Sequence, residues 1–555
     1  KAKQVLRAAS VFGERFSRPG LAALLGGEAE LPEVEGWIER LIDREILRRG
    51  PTPEGAEGEL VFCHGLLREA AYAALTENDL VLGHFLAGDH LEQAGCADAM
   101  ILAEHFRRGR DPLRSVRWYR EGAEQALRAS DLLGAIARAE LGLAAADAVA
   151  EDRKSELAPE LRGALRLTQA EAHLWLGELN EAERRGHEAA AAIAPGQAIW
   201  FRALGQIIIS VAKQGKVDDL VRWVGKARAT PETEAAAGDA LAAQILCLAW
   251  AASFLLVAAR DKEADAIIAW TADKLAGLPE ADPQAHALLH QARAARASLA
   301  GDPGACLAAL EASQSAFERA GDARNVAAVR ANIGFILGEF GAWERAEQIL
   351  REALLDAERL GLVELRAVVQ HNLGRALAYR GDLTEGERLE RMAAECFAAQ
   401  GEPRLEGLAR VYLAEIKLLA GLPAEAETQA STALGLLVSA PAHRVQAQAV
   451  LARALLALGQ LTTALETASQ AAAALNQLGS IDEGEAEVRL VYAECLAAAG
   501  RAMEAQAAAK AAEARLKDRS ARIADVDLRV SFLTAVPAHL RTVSLADAFA
   551  RTTAQ

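Results

Sequence analysis

Aromatic residues make up only 5% of these 555 residues, cysteine occurs six times and methionine three times. So few aromatics, beside an apolar fraction of 52% dominated by alanine, exclude a chain built mainly of sheets and favour helices packed through small residues. The cysteines (Cys63, Cys96, Cys247, Cys306, Cys396, Cys495) lie far apart with no C-x-x-C. That spacing excludes a disulfide framework and points to a reducing cytoplasm. No phosphate-binding G-x-x-x-x-G-K-[ST] occurs, because Gly215-Lys216 and Gly225-Lys226 are followed by Val and Ala and lack the upstream glycine. Kinase-type H-R-D and D-F-G and the hydrolase G-x-S-x-G are absent too. Catalytic residues, a metal and a cofactor are therefore not expected in these 555 residues.

Sixty-one Lys and Arg against 77 Asp and Glu give a formal charge of −16, which repels nucleic acid and anionic membrane surfaces. The opening KAKQVLRAAS has no charged-then-apolar leader, and the chain is expected to be a piece of a longer polypeptide. One segment, Leu241 to Ala259, has only Gln244 and Ser253 as polar residues and is about long enough to span a bilayer. Its alanine content and the lack of a flanking basic cluster predict a buried helix of a soluble chain instead.

What the sequence has is a period. Gly177, Gly215, Gly301, Gly341, Gly381, Gly421, Gly459 and Gly500 separate helical patterns, with a spacing of about 40 residues from Gly301 onward. The double interval from Gly215 to Gly301 has its midpoint near Arg260-Asp261, so the apolar segment is in phase as the first helix of a repeat. Gly321, Gly361, Gly401 and Gly479 mark the other turn. Small residues seven before and five after the first turn, such as Gly334/Ala346, Gly374/Gly386 and Ala414/Ala426, place minimal side chains where two helices would cross. About nine to eleven helix pairs are expected, stacked around a continuous core.

This small-x6-Gly-x4-small pattern, with Asn332-Ile333-Gly334 and Asn372-Leu373-Gly374, resembles the tetratricopeptide repeat. The second helix is about six residues longer than usual and the terminal proline is mostly missing, which resembles the long-helix variants attached to signalling ATPases. Residues 1–96 differ: helices at 2–12, 19–26 and 33–44, then two short strands around PTPEGAEG, predict a winged helix whose only β structure is a hairpin near 46–63. Its third helix carries Glu33, Glu35, Glu39 and Asp43 and is ill suited to phosphate.

Ala8-Ala9-Ser10-Val11-Phe12-Gly13, Leu41-Ile42-Asp43-Arg44 and the run Val61 to Tyr72 (VFCHGLLREAAY) resemble the region after the core of the signal-transduction ATPases with numerous domains, of the kind fused to Ser/Thr kinases or nucleotide cyclases. Residues 101–120, and Ser531-Phe532-Leu533 with Val536-Pro537 and Arg541, resemble the start and end of that family's repeat region. The resemblance implies an all-α chain, a long tetratricopeptide-like superhelix preceded by a small winged helix. Its expected boundaries are 1–96 (winged helix), 97–160 (helices leading into the repeats), 161–517 (repeats) and 518–555 (C-terminal cap). ATP or ADP and Mg would bind only upstream, in the ATPase of the same polypeptide.

In that family a winged-helix histidine can lie against the phosphates of bound ADP, and the resemblance assigns this place to His64; the competing reading is a helix cap. Cys63, His64, His84, His90, Cys96 and His105 match no zinc-site spacing and read as packing residues, as does the His286/His290 pair. Projecting the repeat consensus onto the inner wall selects Asn332, Phe335, His371, Arg375, Tyr379, Glu415, Arg453 and Glu494, a polar and aromatic set suited to a protein or peptide ligand. An ordinary solvated face is the alternative. If these side chains face a ligand, Arg375→Ala with Tyr379→Ala weakens binding without lowering the melting temperature.

The sequence thus predicts a regulatory segment that binds a protein or peptide trigger and relays it to an upstream ATPase and kinase, with a homo-oligomer as a further possible partner. A passive cytoplasmic interaction scaffold is the second reading. A transcription regulator with a DNA-binding head is a poor third, since only about 38 residues follow the last repeat.

Overall fold

A glycine in the left-handed region marks the turns of the repeat, and after three of these glycines an aspartate starts the next helix. At Gly381 (φ 100) the helix before it ends because the Asp382 N–H donates back to Leu377 O at 3.0 Å, a wrap that a side chain would strain. The Asp382 carboxylate then accepts the Glu385 N–H at 3.1 Å and starts the next helix. Asp302 and Asp322 do the same after Gly301 and Gly321. All twelve glycines of the two sequence markers have positive φ. Where the marker was missing near Arg260, Ala259 takes up φ 57 in its place.

The computed structural model describes residues 1–27, 31–50, 59–231, 237–277, 283–479, 481 and 483–553. Contacts divide the chain into two units, Lys1–His173 with Asn180–Pro195, and Leu174–Leu179 with Gly196–Gln555.

The first unit begins α1 (Ala2–Phe12), β1 (Arg15–Phe16), α2 (Arg18–Leu25), α3 (Leu31–Asp43), β2 (Leu47–Arg49) and β3 (Leu60–Phe62). The strands form one antiparallel sheet in the order β1-β3-β2, with Arg15 opposite Val61 and Arg48 also opposite Val61 on the other side. The expected hairpin is therefore only part of the β structure. β1 has two residues, too short for any alternation, and pairs because Phe16 is pulled into the core beside Phe62, ring centroids 5.7 Å apart. The tip of the hairpin, 51–58, lies outside the described residues.

α4 (Gly65–Ala73), α5 (Glu77–Gln93), α6 (Ala99–Arg108), α7 (Pro112–Arg128) and α8 (Leu132–Asp147) follow, then α9 (Pro159–Leu176) and α10 (Leu179–Ala191). α5 packs on α6, α6 on α7 and α7 on α8.

The second unit runs α11 (Ala198–Lys213), α12 (Val217–Ala229), α13 (Ala237–Val257), α14 (Asp261–Ala276), α15 (Pro283–Leu299), α16 (Pro303–Ala320), α17 (Ala323–Glu339) and α18 (Trp343–Arg359). It continues through α19 (Val363–Tyr379), α20 (Leu383–Gln400), α21 (Pro403–Leu419), α22 (Pro423–Leu436), α23 (Pro441–Ala457), α24 (Leu461–Leu478), α25 (Glu485–Ala498) and α26 (Ala502–Ala521). Each helix packs on the next, and α17, α19, α21, α23 and α25 also touch one after another, so the first helices form one wall. In this unit the helices α11 to α26 make eight pairs, and α7 with α8 makes one in the first unit, among the described residues. This is a tetratricopeptide-like α-solenoid.

Small residues carry the crossings. A Cβ on Gly374 would stand 2.9 Å from Gly386 O, and one on Gly334 would stand 2.4 Å from Leu350 Cγ. α13 is the one helix among the described residues long and apolar enough to cross a membrane. It packs against α11, α12, α14 and α15, with Leu248, Ala251 and Ala252 fully buried. Its Gln244 Nε2 donates to Ala227 O (2.9 Å) and Thr230 O (3.2 Å), closing the end of α12.

The last two helices, α27 (Val526–Thr534) and α28 (Pro537–Thr553), do more than cover the final pair. α28 packs on α25 and α26, while Ile523, Leu528 and Phe532 join one core cluster with residues of α16 to α19. Trp343 Nε1 donates to Ala535 O at 3.1 Å, and Arg522 Nη1 to Ala300 O at 3.0 Å.

Candidate functional site

Residues forty apart become neighbours on the wall of first helices. Arg375 and Tyr379 come from α19, Glu415 from α21, Arg453 from α23 and Glu494 from α25, and all five line one cavity of about 400 Å³. Glu339, Trp343, Gln446, Glu485, Glu487, Arg519, His539 and Arg541 complete its polar and aromatic lining.

Arg375 holds the middle. Its Nη1 donates to Glu339 Oε1 (2.9 Å) and to Tyr412 Oη (3.2 Å), and it lies 3.3 Å from Glu483 Oε1. The guanidinium carbon stands 4.9 Å over the Tyr412 ring, a placement in which a cation is attracted to the aromatic face. Tyr379 stacks on Trp343 with centroids 4.6 Å apart and donates its hydroxyl to Glu415 Oε2 at 3.2 Å. Burial pushes the Glu415 carboxyl up to about 7, and the Arg375 charge opposes that rise. Arg453 pairs with Glu487, and Glu494 with Arg541 at 2.6 Å.

The other three expected wall residues do not join the cavity. Asn332 is exposed on α17, and Phe335, one helical turn before Glu339, packs against the core. His371 is buried instead of facing a groove: its Nδ1 lies 2.8 Å from Oε2 of the fully buried Glu390, and its ring stacks on Tyr412 at 4.3 Å. Burial lowers the imidazole to about 4 and raises Glu390, so the pair adopts its uncharged arrangement, a carboxylic acid facing a neutral ring.

Arg375 and Tyr379 are themselves tied into the wall, which overturns the expectation that replacing both leaves the melting temperature unchanged. Truncating Arg375 leaves Glu339 and Glu483 buried without their cation, a costly state.

The cavity also contains residues that the projection missed. Glu339 occupies on α17 the slot that Tyr379 occupies on α19, and carrying the forty-residue step back one repeat would have found it. Gln446, Glu485 and Glu487 carry no such signal. Arg519 comes from the end of α26, and His539 and Arg541 from α28 beyond the last pair, where the period no longer predicts position.

His64 precedes α4 in an extended conformation (φ −134), with its ring exposed and without a side-chain cap bond. No residue of α4 is buried, and Leu66 is 80% exposed. Of the histidines and cysteines clustered around it, His84 and His105 meet, Nδ1 to Nδ1 at 3.1 Å, and His84 Nε2 lies 2.8 Å from Tyr72 Oη. Arg108 donates to Tyr72 Oη at 3.1 Å, so a hydrogen-bonded chain links Arg108, the Tyr72 hydroxyl, His84 and His105. Both imidazoles are buried, which lowers them to about 3 and about 4. On α15, burial also lowers His290.

No family profile matches the chain, and no curated protein matches it. Solved structures of helical-repeat proteins do. One is a Rap protein complexed with Competence and Sporulation Factor (15% identity, TM-score 0.45, 71% of this chain and 99% of that one). Another is the signal-transduction ATPase PH0952 from Pyrococcus horikoshii, which has a tetratricopeptide repeat sensor (14% identity, TM-score 0.40, 83% of this chain and 60% of that one). A third is NprR in complex with its cognate peptide NprX (12% identity, TM-score 0.42, 64% of this chain and 99% of that one).

Proposed function

We propose that the second unit is the sensor of a signalling ATPase and receives a protein or peptide ligand on its wall of first helices. The observation that carries this reading is the cavity of about 400 Å³, where Arg375, Tyr379, Glu415, Arg453 and Glu494 from four successive first helices converge beside Trp343. Pockets that combine aromatic faces with a few fixed charges suit peptide segments, since rings supply contact area and charges set register. The exposed face of α4, with His64, Leu66 and Leu67, supports the second half of the reading, in which the N-terminal part, a winged helix, relays the ligand state to an upstream ATPase and kinase. Relay requires that the ligand bind one arrangement of the repeats better than another.

Binding is tested on an array of immobilised octapeptides of varied sequence, probed with the chain and with Ala457→Trp. Ala457 is an exposed residue at the cavity lining, so the indole blocks the cavity without disturbing the core. Binding of a peptide subset that Ala457→Trp abolishes, at unchanged melting temperature, is the expected result. No octapeptide bound, or binding indifferent to the indole, overturns the reading. In a polypeptide that carries the ATPase, His64→Ala is expected to change ADP retention and basal activity; no change in either removes the histidine from the relay.

A further inference from the structure

The charges around the cavity do not balance on the wall itself. The wall helices bring five carboxylates to the cavity lining, Glu339, Glu415, Glu485, Glu487 and Glu494, against two guanidiniums, Arg375 and Arg453; Arg519 adds a third from α26, and Glu483, in the turn before α25, pairs with Arg375. Arg375 serves Glu339 and Glu483, Arg453 serves Glu487, and Arg489 and Arg515 serve Glu485. Two acids are left. Glu415 accepts the Tyr379 hydroxyl and, among the described residues, has no cation in contact. Glu494 has one, but it is Arg541, which comes from α28 at the end of the chain.

A second observation points the same way. Gln446 lines the cavity and is 1% exposed, yet its Oε1 has no hydrogen-bond partner among the described residues. A buried acceptor left unpaired costs about 1–3 kcal/mol in general, unless a donor arrives. The cavity therefore offers two under-served carboxylates and one idle amide oxygen as acceptors, beside the Nε donors of its fixed arginines Arg375, Arg453 and Arg519, which are unpartnered among the described residues.

We infer that the cavity takes the basic side chain, arginine or lysine, of a peptide ligand, and that Arg541 of the chain's own last helix holds part of that place until the ligand displaces it. The inference rests on the peptide-binding reading above and gives it a ligand chemistry. Arg541 is suited to being displaced, because its side chain is 53% exposed and its contact is a single carboxylate. With Arg541 in solvent the pair contributes on the order of 1 kcal/mol although Glu494 itself is only 16% exposed, so an incoming guanidinium with Glu415 and Gln446 also in reach wins the exchange. The two roles are distinct: Arg375 and Arg453 are fixed parts of the wall, and Arg541 is a resident competitor.

The test uses the full chain, its Arg541→Ala variant and the double variant Arg541→Ala/Glu494→Gln, titrated calorimetrically with three capped heptapeptides. Each peptide is alanine except for a central arginine, glutamate or norleucine. The arginine peptide is expected to bind Arg541→Ala about fivefold tighter than the unaltered chain, the factor that corresponds to losing one exposed competitor. The added Glu494→Gln should reverse the gain, and the other two peptides should bind more weakly throughout. Equal affinity of the chain and Arg541→Ala for the arginine peptide overturns the resident-competitor role. Glutamate or norleucine peptides binding as well as arginine overturn the basic-ligand assignment but keep the peptide-binding reading. No binding by any peptide to any variant overturns both. Arg541 is on the surface of α28, so circular dichroism melts of the variants should coincide with that of the unaltered chain, and an early melt of the double variant shifts the comparison to Arg541→Ala alone.

Discussion

In the first unit, His84 and His105 are buried as neutral imidazoles, joined to Tyr72 and Arg108 by one chain of hydrogen bonds. In the second, Arg375 keeps its charge in the interior by facing Glu339 and Glu483. Both solve the same problem, a polar group removed from water, but one avoids charge and the other pairs it. The difference teaches where each unit is vulnerable. A neutral pair fails when a proton is forced onto it, and an ion pair fails when one member is taken away.

The largest effect should come from breaking the pairing. Arg375→Ala leaves two buried carboxylates without their cation and is expected to destabilise the repeats by about 3–5 kcal/mol, read from urea unfolding followed by circular dichroism. A loss under about 1 kcal/mol would mean that Arg375 is a ligand contact and not a strut.

Acid tests the other unit. The folded state holds His84 and His105 well below 6.5, so the unfolded chain binds more protons as pH falls through 6.5 toward about 4. The stability they contribute is present above pH 6.5 and declines by about 2 kcal/mol for each histidine by pH 5. The double variant His84→Gln/His105→Gln should flatten the thermal midpoint against pH in that window. An unchanged slope would place the acid sensitivity elsewhere.

Glu415 sharpens the contrast because its sign is opposite. Its folded value of about 7 lies above the unfolded one, so the folded state binds the extra proton and stability falls as pH rises from 4.5 to 7. Glu415→Gln retains an acceptor for Tyr379 and removes a buried charge, and it is expected to raise stability by about 2–3 kcal/mol at pH 8 and by less than about 1 kcal/mol at pH 5. A loss at pH 8 would show that the charge of Glu415 is already balanced within the wall.

Much of this architecture could be read from the period alone. Glycines with a fixed spacing and small residues at fixed offsets define both turns and both sides of a crossing, and Gly374 against Gly386 is the contact that the offsets imply. β1 was not legible, since two residues carry no periodicity and pair only because β3 is already in place. Five of the eight wall residues share the cavity because the repeat step puts equivalent positions side by side. His371 did not follow, because Glu390, on the second helix of its own repeat, meets it inside the stack. The sequence pattern tells which face a residue is on, but not whether a neighbouring helix has already claimed it.

The return of the C-terminal helices has a consequence for biosynthesis. Repeat arrays are ordinarily assembled from neighbours, each pair complete soon after it leaves the ribosome. Here Trp343 waits for Ala535, 192 residues later, and Ala300 waits for Arg522, 222 residues later. At about 5–20 residues per second, α18 emerges ~10–40 s before the segment that finishes its surroundings. During that interval the sites of Ile523, Leu528 and Phe532 among α16 to α19 are open apolar surface. A nascent chain of this protein therefore has a long chaperone-dependent window in its second half, and a message truncated within α26 would yield a product that never leaves it.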